Sequence, residues 1–177
     1  MATGSDGTQP VLGYGDECLR QHCRAVESDE DVSALADLMK QTMLESNGVG
    51  LAASQIGDRR RVITVVDPTR RPHKPMVLIN PEVLETFGPG TVFEEGCLSF
   101  PGLYMNLTRP RGLEVRYRTL EGDERVLRNE GILARIIQHE VDHLDGVLFI
   151  DHLPTWQRWL LFWRLWRLRR SARKVAA

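Results

Sequence analysis

The sequence predicts an α+β domain with antiparallel β-sheets. Strand-like runs lie between two helical stretches, no βαβ rhythm links them, and two of the runs flank a tight turn. Residues 31–46 (DVSALADLMKQTMLES) place Val32, Leu35, Leu38, Met39 and Met43 at helical spacing. Ser28 with Asp31 reads as a capping pair for that helix, and Asn47 and Gly48 stop it. A glycine-rich segment follows at 48–55 (GVGLAASQ). Residues 61–67 (RVITVVD) read as a strand ended by Pro68, and 76–80 (MVLIN) as one ended by Pro81. Residues 91–93 form a short strand. Residues 113–119 and 124–127 flank Glu121-Gly122-Asp123, a hairpin turn. Residues 129–144 read as the second helix, with Gly146 suited to the left-handed position after it.

At 177 residues, 42% of them hydrophobic, the chain has room for one core. No apolar run reaches the roughly 18 residues a membrane span needs. Residues 1–9 are small and polar with no Lys or Arg, which reads as a disordered leader rather than a signal, and the expected location is the cytoplasm. Three cysteines argue against a disulfide framework and leave thiols available as ligands. Cys18 and Cys23, at an unusual metal spacing, read as plain free cysteines.

The chemistry concentrates in residues 138–146 (QHEVDHLDG). His139 and His143 fall one turn apart on one helical face, so both imidazoles reach one ion. Glu140 sits beside the first, placed to touch a water without ligating the metal; this is the H-E-x-x-H arrangement. The flanking Ile132, Leu133, Ile136 and Ile137 say that the helix is buried. A buried His-Glu pair without an ion would hold costly polar groups. A catalytic metal site needs a third protein ligand and an open position. Cys97, in 95–99 (EGCLS), is the best candidate.

Three blocks, GVGLAASQ, EGCLS and QHEVDHLDG, stand in the order and spacing of the peptide deformylases, and the chain resembles that family from about Val11 to Leu153. The resemblance implies antiparallel sheets around a central metal-binding helix, within a catalytic domain at 10–154. It implies a hydrolase that removes the formyl group from N-formyl-methionyl nascent peptides and releases formate. Cys97, His139 and His143 then hold one divalent ion, commonly Fe²⁺, with Zn²⁺, Ni²⁺ or Co²⁺ able to take the same place. Glu140 moves the protons, while the Gln55 amide and the Leu98 backbone N–H meet the oxyanion. Gly48, Val49 and Gly50 lie along the substrate, and Phe93, Leu98, Ile132 and Ile136 join Val49 as walls for a methionine side chain. Asp142 is expected to orient a histidine and to pair with Arg109. Tyr104 stands where many relatives carry a basic residue, which alters the grip on the peptide backbone. A metallopeptidase would share only the helix motif, and a non-catalytic adaptor would need none of the three blocks.

Residues 155–177 read as a C-terminal helix holding all four tryptophans, Trp156, Trp159, Trp163 and Trp166, at helical spacing. From Trp156 onward there are seven basic residues and no acid, so the rest of the chain is net acidic. Three readings stay open: the Trp face packs on the domain, the tail docks on the ribosome, or it binds an anionic membrane surface.

Overall fold

The computed structural model describes residues 8–175, the last three by backbone alone. Most of the expected leader lies outside the described residues; at its end the Gln9 N–H donates to Thr42 Oγ1 at 3.3 Å. The elements run α1 (Ser33–Glu45), β1 (Gly50–Ala52), β2 (Val62–Val65), β3 (Met76–Gly96), β4 (Tyr104–Arg118), β5 (Glu124–Glu130), α2 (Ile132–Leu144), α3 (Thr155–Leu160) and α4 (Phe162–Val175). The strands join in one antiparallel sheet, in the order β1-β2-β3-β4-β5. The predicted α+β class and antiparallel pairing are as found.

Helix α1 buries Leu35, Ala36, Met39, Thr42 and Met43, the face its spacing predicted. Its start differs from expectation. Asp31 accepts from the Ser33 N–H at 2.8 Å and the capping position is Val32, so the Ser28 reading fails. The shorter Asp31–Ser33 turn takes the acceptor that a Ser28 pairing needed. Asn47 ends the helix in a left-handed conformation, φ 53°, and Gly48 N–H returns to Met43 O at 2.8 Å.

Pro81 does not end the second strand; β3 runs on to Gly96, 21 residues in all. The register against β4 shifts between Ile79 and Glu82, between Val83 and Glu85, and between Phe87 and Gly90. Pro81 lies inside the first shift, where the missing N–H costs no ladder bond. Asn80 turns there with φ 51° and exchanges two hydrogen bonds with the Val26 backbone, at 2.8 and 2.9 Å. The run at 91–93 is part of this same strand. The hairpin turn at Glu121-Gly122-Asp123 is as expected, closed by Thr119 N–H on Asp123 O at 2.9 Å.

Helix α2 starts at Ile132 rather than at residue 129, because Asn129 and Glu130 pair with β4. It is buried on nearly every side, as a helix enclosed by sheet and loops must be. Leu133, Ile136, Ile137 and Val141 pack against Ile63, Leu78, Leu113 and Val115 of the sheet. Gly146 follows with φ 71°, and a Cβ there would stand 2.6 Å from Arg20 O, so only glycine suits the position.

The C-terminal helices exclude one of the three readings, packing of the Trp face on the domain. Leu161, Leu165 and Leu168 pack toward a core of Leu19, Phe100, Leu103 and Phe149, while the four tryptophans are exposed. The branched aliphatic stripe joins that core; the indole stripe lies opposite. Cys23 is buried and Cys18 half-buried, both free, as read. Burial pushes the Cys23 thiol up to about 11.

Candidate metal centre

Strand β3 ends at Gly96 and hands the chain to Cys97; α2 lies across from it and presents His139 and His143 one turn apart. The Cys97 Sγ stands 3.2 Å from His143 Nε2, and the histidine rings are 5.1 Å apart at 74°. One ligand atom from each of Cys97, His139 and His143 falls within 4.8 Å of the others. The structure thus gathers three donors, separated by as much as 46 residues, around one point.

Glu95 holds His139 from behind, whereas His143 Nδ1 has no hydrogen-bond partner among the described residues. Glu95 Oε2 meets His139 Nδ1 at 3.1 Å, which leaves Nε2 as that ring's other nitrogen. Glu95 also accepts from Arg109 Nε at 2.8 Å and Arg135 Nη1 at 2.7 Å, and all three side chains are buried. Burial works to raise the Glu95 carboxyl, but His139 and Arg109 hold it down at about 2. Arg109 pairs with Asp142 at 2.7 Å, as read from the sequence. The histidine that Asp142 touches is His152, at 2.7 Å, not one of the two on the motif face. Asp142 points out toward β4 and the segment after α2, so Glu95 does the orienting expected of it.

The donor set fits a cation. Burial opposes protonation of His139, yet hydrogen bonds to Cys97 and Glu95 carry it well above the usual imidazole range. Burial, and then the His139 charge, push His143 well below that range. Two imidazoles and a thiol converge here, and a metal competes with protons for such ligands. Glu140 is buried beside them, with Oε2 lacking a hydrogen-bond partner among the described residues. Burial raises its carboxyl to about 7.

Gln55 is buried, on the turn after β1. Its Oε1 accepts from Ala52 N–H at 2.9 Å, which aims Nε2 at Ser99 Oγ (3.1 Å) and Cys97 Sγ (3.5 Å). The glycines nearby make room for this chain's own side chains. A Cβ on Gly50 would stand 2.3 Å from Glu140 Oε1, and one on Gly48 would stand 2.9 Å from Leu98 Cδ1. Of the expected methionine walls, Ile136 is in the core with Ile132 against it, Leu98 is half-buried, and Val49 and Phe93 are exposed. Tyr104 is exposed and lays its ring over Gly96.

The polypeptide deformylase family model matches residues 8–159. The chain belongs to the polypeptide deformylase family. A peptide deformylase of Picosynechococcus sp. is 44% identical over 156 residues, covering 86% of this chain and 83% of that one. The crystal structure of the deformylase from Thermus thermophilus superposes with a TM-score of 0.85 at 40% identity, covering 93% of this chain and 99% of that one. An Acinetobacter baumannii deformylase solved with Met-Ala-Ser bound gives 0.75 at 39% identity, over 81% of this chain and 98% of that one. As a deformylase the chain is a hydrolase of the formamide bond on new peptides.

Sequence reasoning found the three donors and passed over Glu95, Arg135 and Ser99. Glu95 had a signal: it sits two residues before Cys97 in the same block. In this deformylase, Glu95→Ala leaves two buried guanidinium groups short of a partner and is expected to cost about 3–5 kcal/mol. Urea unfolding of variant and parent measures it; a loss near zero would mean that the network relaxes freely. Gly50→Ala is expected to displace the Glu140 carboxylate and lower kcat about 100-fold with KM little changed. The same substitution added to Glu140→Ala should cost almost nothing more, which steady-state kinetics on both backgrounds tests.

Proposed function

We propose that the deformylase reaction of this chain runs at Cys97, His139 and His143 with one divalent ion, ferrous iron first among the ions that suit the set. A thiolate with two imidazoles favours softer first-row metals, so zinc, nickel and cobalt also fit. When bound, such an ion supplies Lewis-acid chemistry to the formyl group and to water. The remaining steps belong to the protein. Glu140 takes a proton from the attacking water and returns it to the departing amine, and a carboxyl buried this deeply accepts and releases a proton near neutrality. The Gln55 Nε2 and the Leu98 backbone N–H face the developing oxyanion. Val49, Phe93, Leu98, Ile132 and Ile136 receive the methionine side chain, and Gly48, Val49 and Gly50 run beside the peptide backbone. Tyr104 offers an exposed ring and hydroxyl where a cation is expected in relatives.

The observation that carries this reading is the meeting of three ligand atoms within 4.8 Å beside a buried Glu140 carboxylate whose Oε2 has no hydrogen-bond partner among the described residues. The substrates are formyl-methionyl ends of newly made proteins, met in the cytoplasm, where a thiol ligand stays reduced. No helix of the described residues is long and apolar enough to cross a membrane. The test offers two tripeptides beginning with Met, one formylated and one with a free amine, and follows formate and free methionine. Formate from the first and nothing from the second is expected. Methionine from the second, without formate from the first, would move the site to a metallopeptidase.

A further inference from the structure

The C-terminal helices carry two opposed apolar stripes. At about 3.6 residues per turn, Leu161, Leu165, Leu168 and Ala172 share one side. That side is occupied: the leucines pack toward Phe100 and Phe149, and Ala172 lines a cleft with residues 10–17. Leu161 continues the turn between α3 and α4, with Leu165 N–H on Leu161 O at 2.9 Å, so the stripes run through both helices. On the other side Trp156, Trp159, Leu160, Phe162, Trp163 and Trp166 are 44% to 76% exposed. Docking of the leucine stripe thus fixes the indole face outward. A contiguous apolar face of that kind marks an interaction surface.

The charge around it selects the partner. No acid occurs from Trp156 onward, against seven basic residues. Arg167 and Arg170 are exposed, and Arg170 stands 5.0 Å over the Trp166 ring. Arg158, Arg164 and Arg169 lie on the flanks; Arg164 Nη2 donates to Gly102 O at 3.1 Å and Arg158 lies 4.0 Å from Asp151. We propose that this face seats on the surface of an anionic lipid bilayer. Indoles and leucine enter the interface between headgroups and acyl chains, and the surrounding guanidinium groups meet lipid phosphates. A duplex RNA surface would instead need the cations in front, since phosphate contacts supply its affinity, and here the forward positions are apolar. A second copy of the face would bring Arg167 and Arg170 against their own kind. The contact lies along the surface and does not span it, as the helix lengths require. The family match ends at residue 159, so the face starts at the edge of the matched residues and its Leu160, Phe162, Trp163 and Trp166 lie past them. It is independent of the catalytic reading.

All four tryptophans of the chain lie in the face, so intrinsic emission of the 177-residue chain reports on it directly. The test adds vesicles of phosphatidylglycerol and phosphatidylcholine, or of phosphatidylcholine alone, and follows emission and co-sedimentation. A blue shift and binding on the anionic vesicles are expected, at least about tenfold weaker on the neutral ones. Trp159→Gln with Trp163→Gln should weaken binding about tenfold or more, and Arg167→Glu with Arg170→Glu about as much. Formate release, the check that each variant is folded, should stay as in the parent. The proposal falls if the intact chain ignores anionic vesicles, or binds them equally without the tryptophans. It also falls if the face is instead taken by ribosomes in a parallel sedimentation, or by a second copy seen as a doubled mass in light scattering.

Discussion

Glu140→Ala is expected to lower formate release by about 10²- to 10⁴-fold, the usual contribution of a positioned general acid–base group. Thermal stability should hold or rise in the same variant. The carboxylate is buried, its Oε2 has no hydrogen-bond partner among the described residues, and burial lifts its carboxyl to about 7. A group so placed is a burden on the fold, tolerated for what it does. Glu140→Gln keeps the shape without the proton, so it should match the alanine variant in rate. Kinetics and a melting curve on the same preparations check both halves. Rapid turnover by both variants would remove Glu140 from the proton path.

Cys97→Ala should lose metal and activity together. The thiolate is the anionic ligand of the set, and without it two imidazoles remain, one of them tied to Glu95. The fold should survive, since Cys97 is half-buried and lies at the edge of a core cluster. Metal analysis after gel filtration reads the outcome, with Cys23→Ala as the matched control. Cys23 packs in the core and its thiol is pushed up to about 11, so it offers no thiolate near neutrality. Full metal retention in the Cys97 variant would take it out of the ligand set.

The site was legible in the sequence as far as its logic is local. His139, Glu140 and His143 depend only on helical spacing, and Gly146 only on the need for a left-handed residue. Cys97 needed its block to be noticed, because its approach to the histidines depends on how β3 crosses α2. The role of Glu95 was hidden for the same reason: the arginines that hold it come from β4 and α2, remote in sequence. Pro81 misled because a proline ends a strand unless a bulge excuses its missing N–H, and that bulge is a property of the pairing with β4. The tail stayed open for another reason. Its periodicity shows two apolar stripes and does not say which of them docks. In the structure the leucines are the stripe that joins the cluster of Phe100 and Phe149.

The most direct measurement of metal-dependent deformylation starts from metal-free protein, prepared without oxygen, and titrates ferrous iron while formate release from a formyl-methionyl tripeptide is followed. No release is expected at the outset, then a rise that levels off at one ion per chain. Full release before any metal is added, or none from folded and loaded protein, would contradict a metal-dependent deformylase at Cys97, His139 and His143.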